Sequence, residues 1–240
     1  MEEVVQLFCI PYAGGKAELF QQFASCMPET VSVIPIEYAG HGNRIREPFY
    51  ETFSAMAADV AAEIRKLRDP SMPYALFGYS MGSVVAYEIA TRGLLTEQPA
   101  RLFFASHEAP GTSWDSMDYA EVDDLTFARL IVEFGGFDRF EEKFLQNKFF
   151  RKMIFQPIRE DYRLIADYHW EEVKPLTIPA SFFYAPEDVA PEKAKLWQQR
   201  FKEPMEFFEI GENHFFIREH AEELAKIIEK QLATMLGKTK

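Results

Sequence analysis

One short stretch constrains the fold of this chain more than any other. Residues 74–77 form an apolar run of strand type that leads directly into Gly-Tyr-Ser-Met-Gly at positions 78–82. A helix is predicted over 81–92, and Gly93 suits the position just past its end. The glycines allow the backbone to crowd without a Cβ clash, so strand and helix can be joined by a sharp turn. A buried strand that runs straight into a helix is typical of α/β proteins.

The rest of the chain alternates strand-like and helix-like segments. Strands are predicted over residues 6–10, 31–36, 74–77, 101–106, 180–185 and 205–210. Helices are predicted over residues 52–68, 81–92, 191–201 and 221–236, and the first and last have apolar side chains at helical spacing. This alternation predicts parallel βαβ units, and therefore an α/β fold with a mostly parallel central sheet flanked by helices.

The alternation is interrupted over residues 112–167. No strand is predicted there, whereas residues 125–134 and 140–154 have helical character. We therefore expect a core of residues 1–111 and 168–240 with an inserted helical lid, because helical caps over open α/β sheets usually border the ligand crevice. The alternative is a second packing layer without substrate contact. The insertion carries the pair Gly135-Gly136 and eight phenylalanines: Phe127, Phe134, Phe137, Phe140, Phe144, Phe149, Phe150 and Phe155.

Charge and composition exclude several classes of partner. The chain has 240 residues, a net charge of −12 and a pI near 5.0. This argues against nucleic acid, which calls for a basic surface, and against an anionic membrane. Two cysteines, Cys9 and Cys26, imply no disulfide framework. A signal peptide is not recognisable and no apolar run reaches the roughly 18 residues of a membrane span, so we expect a cytoplasmic protein.

Ser80 is the first residue at which chemistry is expected. A Gly-x-Ser-x-Gly motif between a strand and a helix is the nucleophile elbow, in which the serine hydroxyl is exposed at the C-terminal edge of the sheet. The N–H groups at the start of the following helix point toward developing negative charge. We therefore predict an α/β-hydrolase fold with Ser80 as the nucleophile. The alternative is a glycine-rich turn with an incidental serine.

A serine hydroxyl is a weak nucleophile and needs a base. The chain has five histidines: His41, His107, His169, His214 and His220. In this fold the acid and then the histidine follow the serine, each in a loop after a late strand. His214 fits, since it follows the strand predicted over 205–210 and precedes the last helix. His220 is the next candidate, although it can simply cap that helix. The two earliest histidines lie at the same sheet edge as Ser80 and can touch the site without being the base.

The acid is expected in the loop before that strand. The strand predicted over 180–185 ends in Pro186-Glu187-Asp188. We choose Asp188, whose role is to hold the imidazole in the correct tautomer and to stabilise the imidazolium. Glu187 is a direct competitor, because glutamate serves this role in some hydrolases.

The oxyanion hole needs two N–H groups, one from the residue after the nucleophile and one from the loop after an early strand. The first is Met81. For the second, the loop Pro11-Tyr12-Ala13-Gly14-Gly15 follows the strand predicted over 6–10, and Ala13 is the expected donor with Tyr12 as the alternative.

These residues resemble the type II thioesterases that accompany non-ribosomal peptide and polyketide synthases. The matching pieces run in the family's order over almost the whole chain. They are Pro11-Tyr12-Ala13-Gly14-Gly15, Gly40-His41-Gly42, Gly78-Tyr79-Ser80-Met81-Gly82, Gly135-Gly136, Pro157-Ile158-Arg159-Glu160-Asp161-Tyr162 and Gly211 to His214 followed by Phe215-Phe216. The Pro-x-Ala-Gly-Gly and Pro-x-Arg-x-Asp pieces are more discriminating than the serine motif.

The resemblance implies hydrolysis of acyl or aminoacyl groups from the phosphopantetheine arm of a carrier protein, which clears a stalled synthase. It places Ser80, Asp188 and His214 on the family's triad and residues 112–167 on its mobile lid. Tyr12 and Tyr79 are predicted to bind substrate, and Tyr79 stands where the family usually has histidine. No cofactor or metal is needed by this chemistry. The carrier is expected to dock transiently on a monomer.

Two rival functions remain open. Another α/β hydrolase, such as a small-ester carboxylesterase or a peptidase, would act on free small molecules without a carrier. A hydrolase fold kept as a non-catalytic binding protein would bind its ligand without turnover, although an intact serine, acid and histidine set argues against it. Because carrier proteins are also commonly acidic, docking would need local basic residues. The candidates are Arg44, Arg46, Arg159 and Arg163.

Overall fold

A central sheet of parallel strands organises this computed structural model, which describes residues 4–112, 122–133 and 140–235. The strands are β1 (Val5–Ile10), β2 (Val31–Pro35), β3 (Tyr74–Tyr79), β4 (Arg101–Ala105), β5 (Ala180–Tyr184) and β6 (Glu206–Glu209). Their order is β2-β1-β3-β4-β5-β6, and each neighbouring pair is parallel. The expected parallel sheet is confirmed, and each predicted strand ends within two residues of its expected bounds.

Helices connect these strands and cover the sheet. They are α1 (Gln21–Ser25), α2 (Phe53–Leu67), α3 (Met81–Thr91), α4 (Asp124–Glu133), α5 (Lys148–Phe150), α6 (Gln156–Ala166), α7 (Pro191–Ala194), α8 (Phe216–Glu219) and α9 (Ala221–Met235). The start of α2 illustrates the local cause: the Thr52 side chain accepts the Ala55 N–H at 3.1 Å and so caps the helix. Within the described ranges, no helix is long and apolar enough to cross a lipid bilayer.

The strands β1 and β3 are buried on both faces, as expected for central strands of a parallel sheet. Successive side chains alternate between the faces. Phe8 and Leu76 lie in the apolar layer that includes the buried faces of α2 and α3. Leu7 and Phe77 lie in the opposite layer, which includes the buried face of α9. With both faces filled, the loops at the C-terminal ends of the strands are the part of the sheet left open for a ligand.

Helical segments occupy the described chain between β4 and α6. The helix predicted over residues 140–154 is divided into a 3-10 turn at Glu142–Gln146, the short α5, and a π-helical stretch at Arg151–Phe155. Asn147 explains the division. Its side-chain oxygen accepts the N–H groups of Phe149 and Phe150, which starts a new helix at that point.

The inserted segments have a small apolar cluster of their own, in which Phe127, Ile131 and Phe155 are buried. The helical character expected for the insertion is therefore found in its described parts. The division into a core of residues 1–111 and 168–240 and a lid of 112–167 stays a prediction. The glycine pair and two of the phenylalanines noted in the insertion lie outside the described residues: Gly135-Gly136, Phe134 and Phe137.

Candidate active site

Ser80 occupies the turn between β3 and α3. Its backbone has φ 53° and ψ −119°, a conformation that residues other than glycine rarely adopt, and it is the N-cap of α3. The Ser80 N–H donates to the Ala105 carbonyl at 2.8 Å. The Ser83 hydroxyl oxygen accepts the Ala105 N–H at 3.0 Å. These two bonds fix the turn to the end of β4, and Ser80 is partly exposed while the β3 residues before it are buried.

Gly78 and Gly82 allow the turn to form. A Cβ on Gly78 would lie 2.2 Å from the Gly82 carbonyl oxygen, and a Cβ on Gly82 would lie 2.1 Å from the Ile10 carbonyl oxygen. No side chain fits at either position. The first turn of α3 is therefore in direct contact with the end of β1, and this contact brings the loop after β1 beside Ser80.

The predicted oxyanion donors lie on the two segments that this contact joins. Met81 is the first residue of α3, and Ala13 lies in the loop after β1. Within the described parts of the chain, neither N–H donates to a protein acceptor. The Gly14 N–H is taken by a buried carboxylate at 2.6 Å, and the Gly15 N–H donates to the Tyr12 carbonyl at 2.8 Å. The loop therefore leaves the amides of Ala13 and Tyr12 for an oxyanion.

Asp188 and His214 meet at the same edge of the sheet. Asp188 lies in a turn after β5, and its N–H donates to the Ala185 carbonyl at 3.0 Å. Nδ1 of His214 lies 2.7 Å from Oδ1 of Asp188, and the two side chains are only 24% and 15% exposed. With Nδ1 turned to the acid, Nε2 is left for the nucleophile. Glu187, the competing acid, is exposed to solvent.

The other histidines have surroundings that do not require a catalytic role. His220 directly precedes α9, and its Nδ1 lies 3.2 Å from Oε2 of Glu223. His169 is exposed to solvent. Nδ1 of His107 lies 2.8 Å from the Glu108 carbonyl oxygen, and burial lowers the pKa of this imidazole. Within the described ranges, no three His, Cys, Asp or Glu side chains are grouped as a metal site requires.

Tyr79 was predicted to bind substrate, but in the structure its side chain is buried beneath the sheet. Strand alternation turns its side chain into the same apolar layer as Phe77, where it is fully buried. Its hydroxyl donates to the His214 carbonyl at 2.7 Å and accepts the Ile217 N–H at 3.4 Å. Burial raises the pKa of this phenol, so it stays a donor. Tyr79 therefore supports the backbone of the histidine loop, and it offers no surface to a ligand.

Tyr12 lies beside the histidine loop. Its ring meets the ring of Phe215 edge-on with 5.1 Å between centroids, and its hydroxyl accepts a hydrogen bond from Arg218 at 3.3 Å. Because Phe215 directly follows His214, the oxyanion loop and the histidine loop are in contact through this pair. Substrate binding by Tyr12 stays a prediction.

One group near the site was given no role in the sequence analysis. Asp161 of α6 and His41 are both 1% exposed, and Oδ2 of Asp161 lies 3.0 Å from Nε2 of His41. Burial is the largest single influence and lowers the pKa of His41, but the charge and hydrogen bond of Asp161, the Ala39 carbonyl and Glu37 together raise it above its ordinary value. Both residues belong to motifs noted above. Their pairing could not be predicted from the sequence, because 120 positions separate them along the chain.

Three of the arginines considered for carrier docking are engaged within the chain. Arg44 pairs with Glu47 and Asp59. The guanidinium of Arg163 donates to the Tyr50 carbonyl at 2.8 Å. The guanidinium of Arg159 donates to the Val122 carbonyl and lies 3.5 Å from Oδ1 of Asp124 in α4. Arg46, by contrast, is exposed and remains a candidate.

Comparison with known proteins agrees with this geometry. The family model described as the thioesterase domain matches residues 5–232. A relative named gramicidin S biosynthesis protein GrsT, from Aneurinibacillus migulanus, is 28% identical, with 97% of this chain and 91% of that protein covered. ClbQ from the colibactin NRPS/PKS pathway has a solved structure that superposes with a TM-score of 0.87 at 26% identity, covering 97% of this chain and 98% of ClbQ.

A second solved structure is the RedJ thioesterase from the prodiginine biosynthetic pathway of Streptomyces coelicolor. It superposes with a TM-score of 0.81 at 29% identity, covering 95% of this chain and 86% of RedJ. The α/β-hydrolase fold expected from the sequence is confirmed by these neighbours, and so is the resemblance to thioesterases of peptide and polyketide synthase pathways. The chain belongs to the thioesterase family.

Proposed function

We propose that this hydrolase cleaves acyl and aminoacyl thioesters by a serine mechanism, with Ser80 as nucleophile, His214 as base and Asp188 as the acid that orients it. The substrate is the acyl group on the phosphopantetheine arm of a carrier protein. Met81 and Ala13 supply the N–H groups of the oxyanion hole. The protein works as a monomer that the carrier visits transiently.

The observation that carries this proposal is the 2.7 Å contact between Asp188 and His214 at the sheet edge where Ser80 sits on its constrained turn. A histidine with one nitrogen on a part-buried carboxylate is prepared to accept a proton at the other nitrogen. The unengaged N–H groups described above support the same assignment, because an oxyanion hole requires donors that are oriented before the reaction begins.

In the first step, the Ser80 oxygen attacks the thioester carbonyl carbon while Nε2 of His214 accepts the hydroxyl proton. The carbonyl π electrons move to oxygen, where the N–H groups of Met81 and Ala13 stabilise the negative charge. When the tetrahedral intermediate collapses, the C–S bond breaks and the imidazolium returns the proton to the leaving thiolate. The products are an acyl ester on Ser80 and the free thiol of the carrier arm.

In the second step, water attacks the acyl ester with His214 again as base. The same N–H groups stabilise the second oxyanion, and the proton passes to the Ser80 oxygen as the C–O bond breaks. A free carboxylic acid leaves and the resting serine is restored. Asp188 keeps its charge throughout and stabilises each imidazolium that forms.

Carrier dependence is supported by the relatives and by the insertion. Two relatives are the gramicidin S biosynthesis protein GrsT and ClbQ from the colibactin NRPS/PKS pathway, and both fit a carrier-bound substrate. We propose that residues 112–167 act as a lid that closes an apolar chamber over Ser80. A long, flexible pantetheine arm suits such a chamber, since it reaches the serine while the carrier remains outside.

The test compares the same acyl group on a carrier, on a short free thiol and as a simple alcohol ester, for the wild type and for Ser80→Ala. Carrier-bound thioester should have the highest kcat/KM, because arm and carrier add binding. Equal kcat/KM for the carrier and the short thiol would favour the small-ester hydrolase. Binding of acyl-carrier without turnover would favour a binding protein, and near-normal turnover by Ser80→Ala would rule out the serine mechanism.

A further inference from the structure

Asp161 is a buried carboxylate that the proposed mechanism does not use. It lies on α6, within the inserted helices, and its side chain is 1% exposed. A single oxygen, Oδ2, accepts the Gly14 N–H at 2.6 Å and lies 3.0 Å from Nε2 of His41. Burying a charge is costly unless it is paired and hydrogen-bonded. A carboxylate kept in this position therefore calls for an explanation beyond packing.

The turn that Asp161 contacts is the oxyanion loop. The Gly15 N–H donates to the Tyr12 carbonyl at 2.8 Å, and Gly14 has φ +73°. These features are those of a type II turn, in which the central peptide, here Ala13–Gly14, is flipped relative to the commoner type I turn. The N–H of that flipped peptide is the one that Asp161 accepts. The carboxylate therefore holds the turn in its type II form.

Other contacts fix where this turn lies. A Cβ on Gly14 would lie 2.2 Å from Cγ1 of Ile158, so α6 packs directly on the turn. Just before the turn, the buried hydroxyl of Tyr38 donates to the Pro11 carbonyl at 2.8 Å. Since the peptide unit is planar and trans, the closing bond to the Tyr12 carbonyl also directs the Ala13 N–H away from the turn.

We propose that Asp161, with its charge paired to His41, is a positioning residue for the oxyanion hole: it anchors the Tyr12–Gly15 turn to α6 and so holds the Ala13 N–H where the acyl oxygen develops charge. The inference rests on the proposed function, because it assigns a role within that mechanism. It also makes the oxyanion hole depend on the inserted helices, since the anchoring oxygen belongs to α6.

His41 completes this anchor. Nδ1 of His41 lies 3.0 Å from the Ala39 carbonyl oxygen, which orients the ring so that Nε2 faces Asp161. The other ionisable side chains near the pair are Glu37 and Tyr38. Loss of His41 would leave Oδ2 of Asp161 with the Gly14 N–H as its remaining contact of the two, so it should weaken the same anchor.

The expected effect follows from the geometry of oxyanion stabilisation. Donors act only within about 2.7–3.1 Å of the developing charge, and loss of one donor lowers kcat by about 10²–10³-fold. Asp161→Ala removes the acceptor of the Gly14 N–H and should approach that loss. Asp161→Asn keeps an oxygen acceptor without the charge, so its kcat should lie between those of the alanine variant and the wild type. KM should change little, because the interaction is made in the transition state.

The test measures two rates for each variant: the rate of covalent labelling of Ser80 by a fluorophosphonate, and kcat for hydrolysis of an acyl-pantetheine thioester. Glu88→Gln is the matched control. Glu88 is also a buried acid, 4% exposed, but it lies further along α3, where it pairs with Arg92 and accepts the Tyr168 hydroxyl. Thermal unfolding of each variant reports its fold. We expect both rates to fall in the order wild type, Asp161→Asn, Asp161→Ala, with Glu88→Gln close to the wild type in both.

Failure of this inference can be told from failure of the proposed function. A wild type that is not labelled at Ser80 contradicts the serine mechanism itself. A wild type that is labelled, with Asp161→Ala labelled equally fast, overturns the positioning role alone. If Asp161→Ala does not fold, Asp161→Asn and His41→Gln decide: slower labelling in both supports the role, and unchanged labelling in both overturns it.

Discussion

Ser80 has the most constrained backbone of the candidate triad. Residues held at φ and ψ values such as its 53° and −119° store about 1–3 kcal/mol of strain and persist only where their surroundings impose the conformation. Here the surroundings are the Ala105 carbonyl, which accepts the Ser80 N–H, and the two glycines that let β1 and α3 approach. The strain is the physical cost of exposing the hydroxyl at the sheet edge.

Two substitutions separate this strain from the chemistry. Ser80→Ala and Ser80→Gly both remove the nucleophile, so both should lower kcat by several orders of magnitude. Glycine adopts this conformation freely, while its greater chain entropy offsets the gain by about 0.5–1 kcal/mol. Denaturant unfolding should therefore show the glycine variant to be more stable than the alanine variant by about 1 kcal/mol. An alanine variant of equal or greater stability would contradict the strain.

The neighbouring acids Asp188 and Glu187 form a matched pair for a second prediction. Asp188→Asn keeps the shape but presents an amide to His214, which no longer fixes the imidazole tautomer, so kcat should fall by on the order of 10⁴-fold. Glu187→Gln changes an exposed side chain and should leave kcat within about twofold, as expected for a surface change away from the reacting groups. Steady-state kinetics on one thioester decides, and the reverse ranking would transfer the role to Glu187.

At the scale of elements, β3 positions two parts of the site at once. Its end leads into the Ser80 turn, and its last residue, Tyr79, holds the His214 loop through the carbonyl of His214. Ser106 directly follows β4, and its hydroxyl donates to the same carbonyl at 3.2 Å. The serine turn and the histidine loop are therefore both held by the ends of neighbouring strands of one sheet.

Tyr79→Phe tests this connection. Losing the hydroxyl removes two buried hydrogen bonds, to the His214 carbonyl and from the Ile217 N–H, so the free energy of unfolding should fall by about 1–3 kcal/mol. If Tyr79 positions the histidine loop, kcat should fall by a similar factor for short and long acyl groups, because the substrate is not touched. If Tyr79 bound substrate, as predicted from the sequence, the effect would depend on the acyl group. A panel of acyl thioesters with different chain lengths distinguishes the two, with Tyr12→Phe as the comparison variant.

Sequence patterns predicted the elements whose physical cause is local. The strands were recognisable as apolar runs, and α2 by its apolar side chains at helical spacing. The helix expected over 191–201 becomes a 3-10 turn after Ala194, and the short α8 was not anticipated, because such segments are stabilised mainly by packing. The Asp188–His214 pairing could be anticipated from strand order. The burial of Tyr79 and the contact of Asp161 with Gly14 could not, since both depend on how distant segments meet.

At the scale of the whole molecule, the buried pair of His41 and Asp161 makes stability depend on pH. The pKa of His41 is raised in the folded protein by attraction to Asp161, despite the opposing effect of burial. A raised folded-state pKa means that the stabilisation is fully present below the unfolded-state pKa of about 6.5 and is lost as pH rises through the folded-state value. Glu37, which also faces His41, adds to the attraction.

The measurement is the free energy of unfolding as a function of pH for the wild type and His41→Gln. The difference between the two proteins should be largest below about pH 6.5 and should shrink as pH rises above it through the raised pKa of His41. His107 contributes with the opposite sign, because burial lowers its pKa, but it is present in both proteins and cancels in the difference. His169→Gln, a change at an exposed histidine, is the control measured in parallel. A difference that is constant with pH, or that grows as pH rises, would show that His41 is not held as an imidazolium by Asp161.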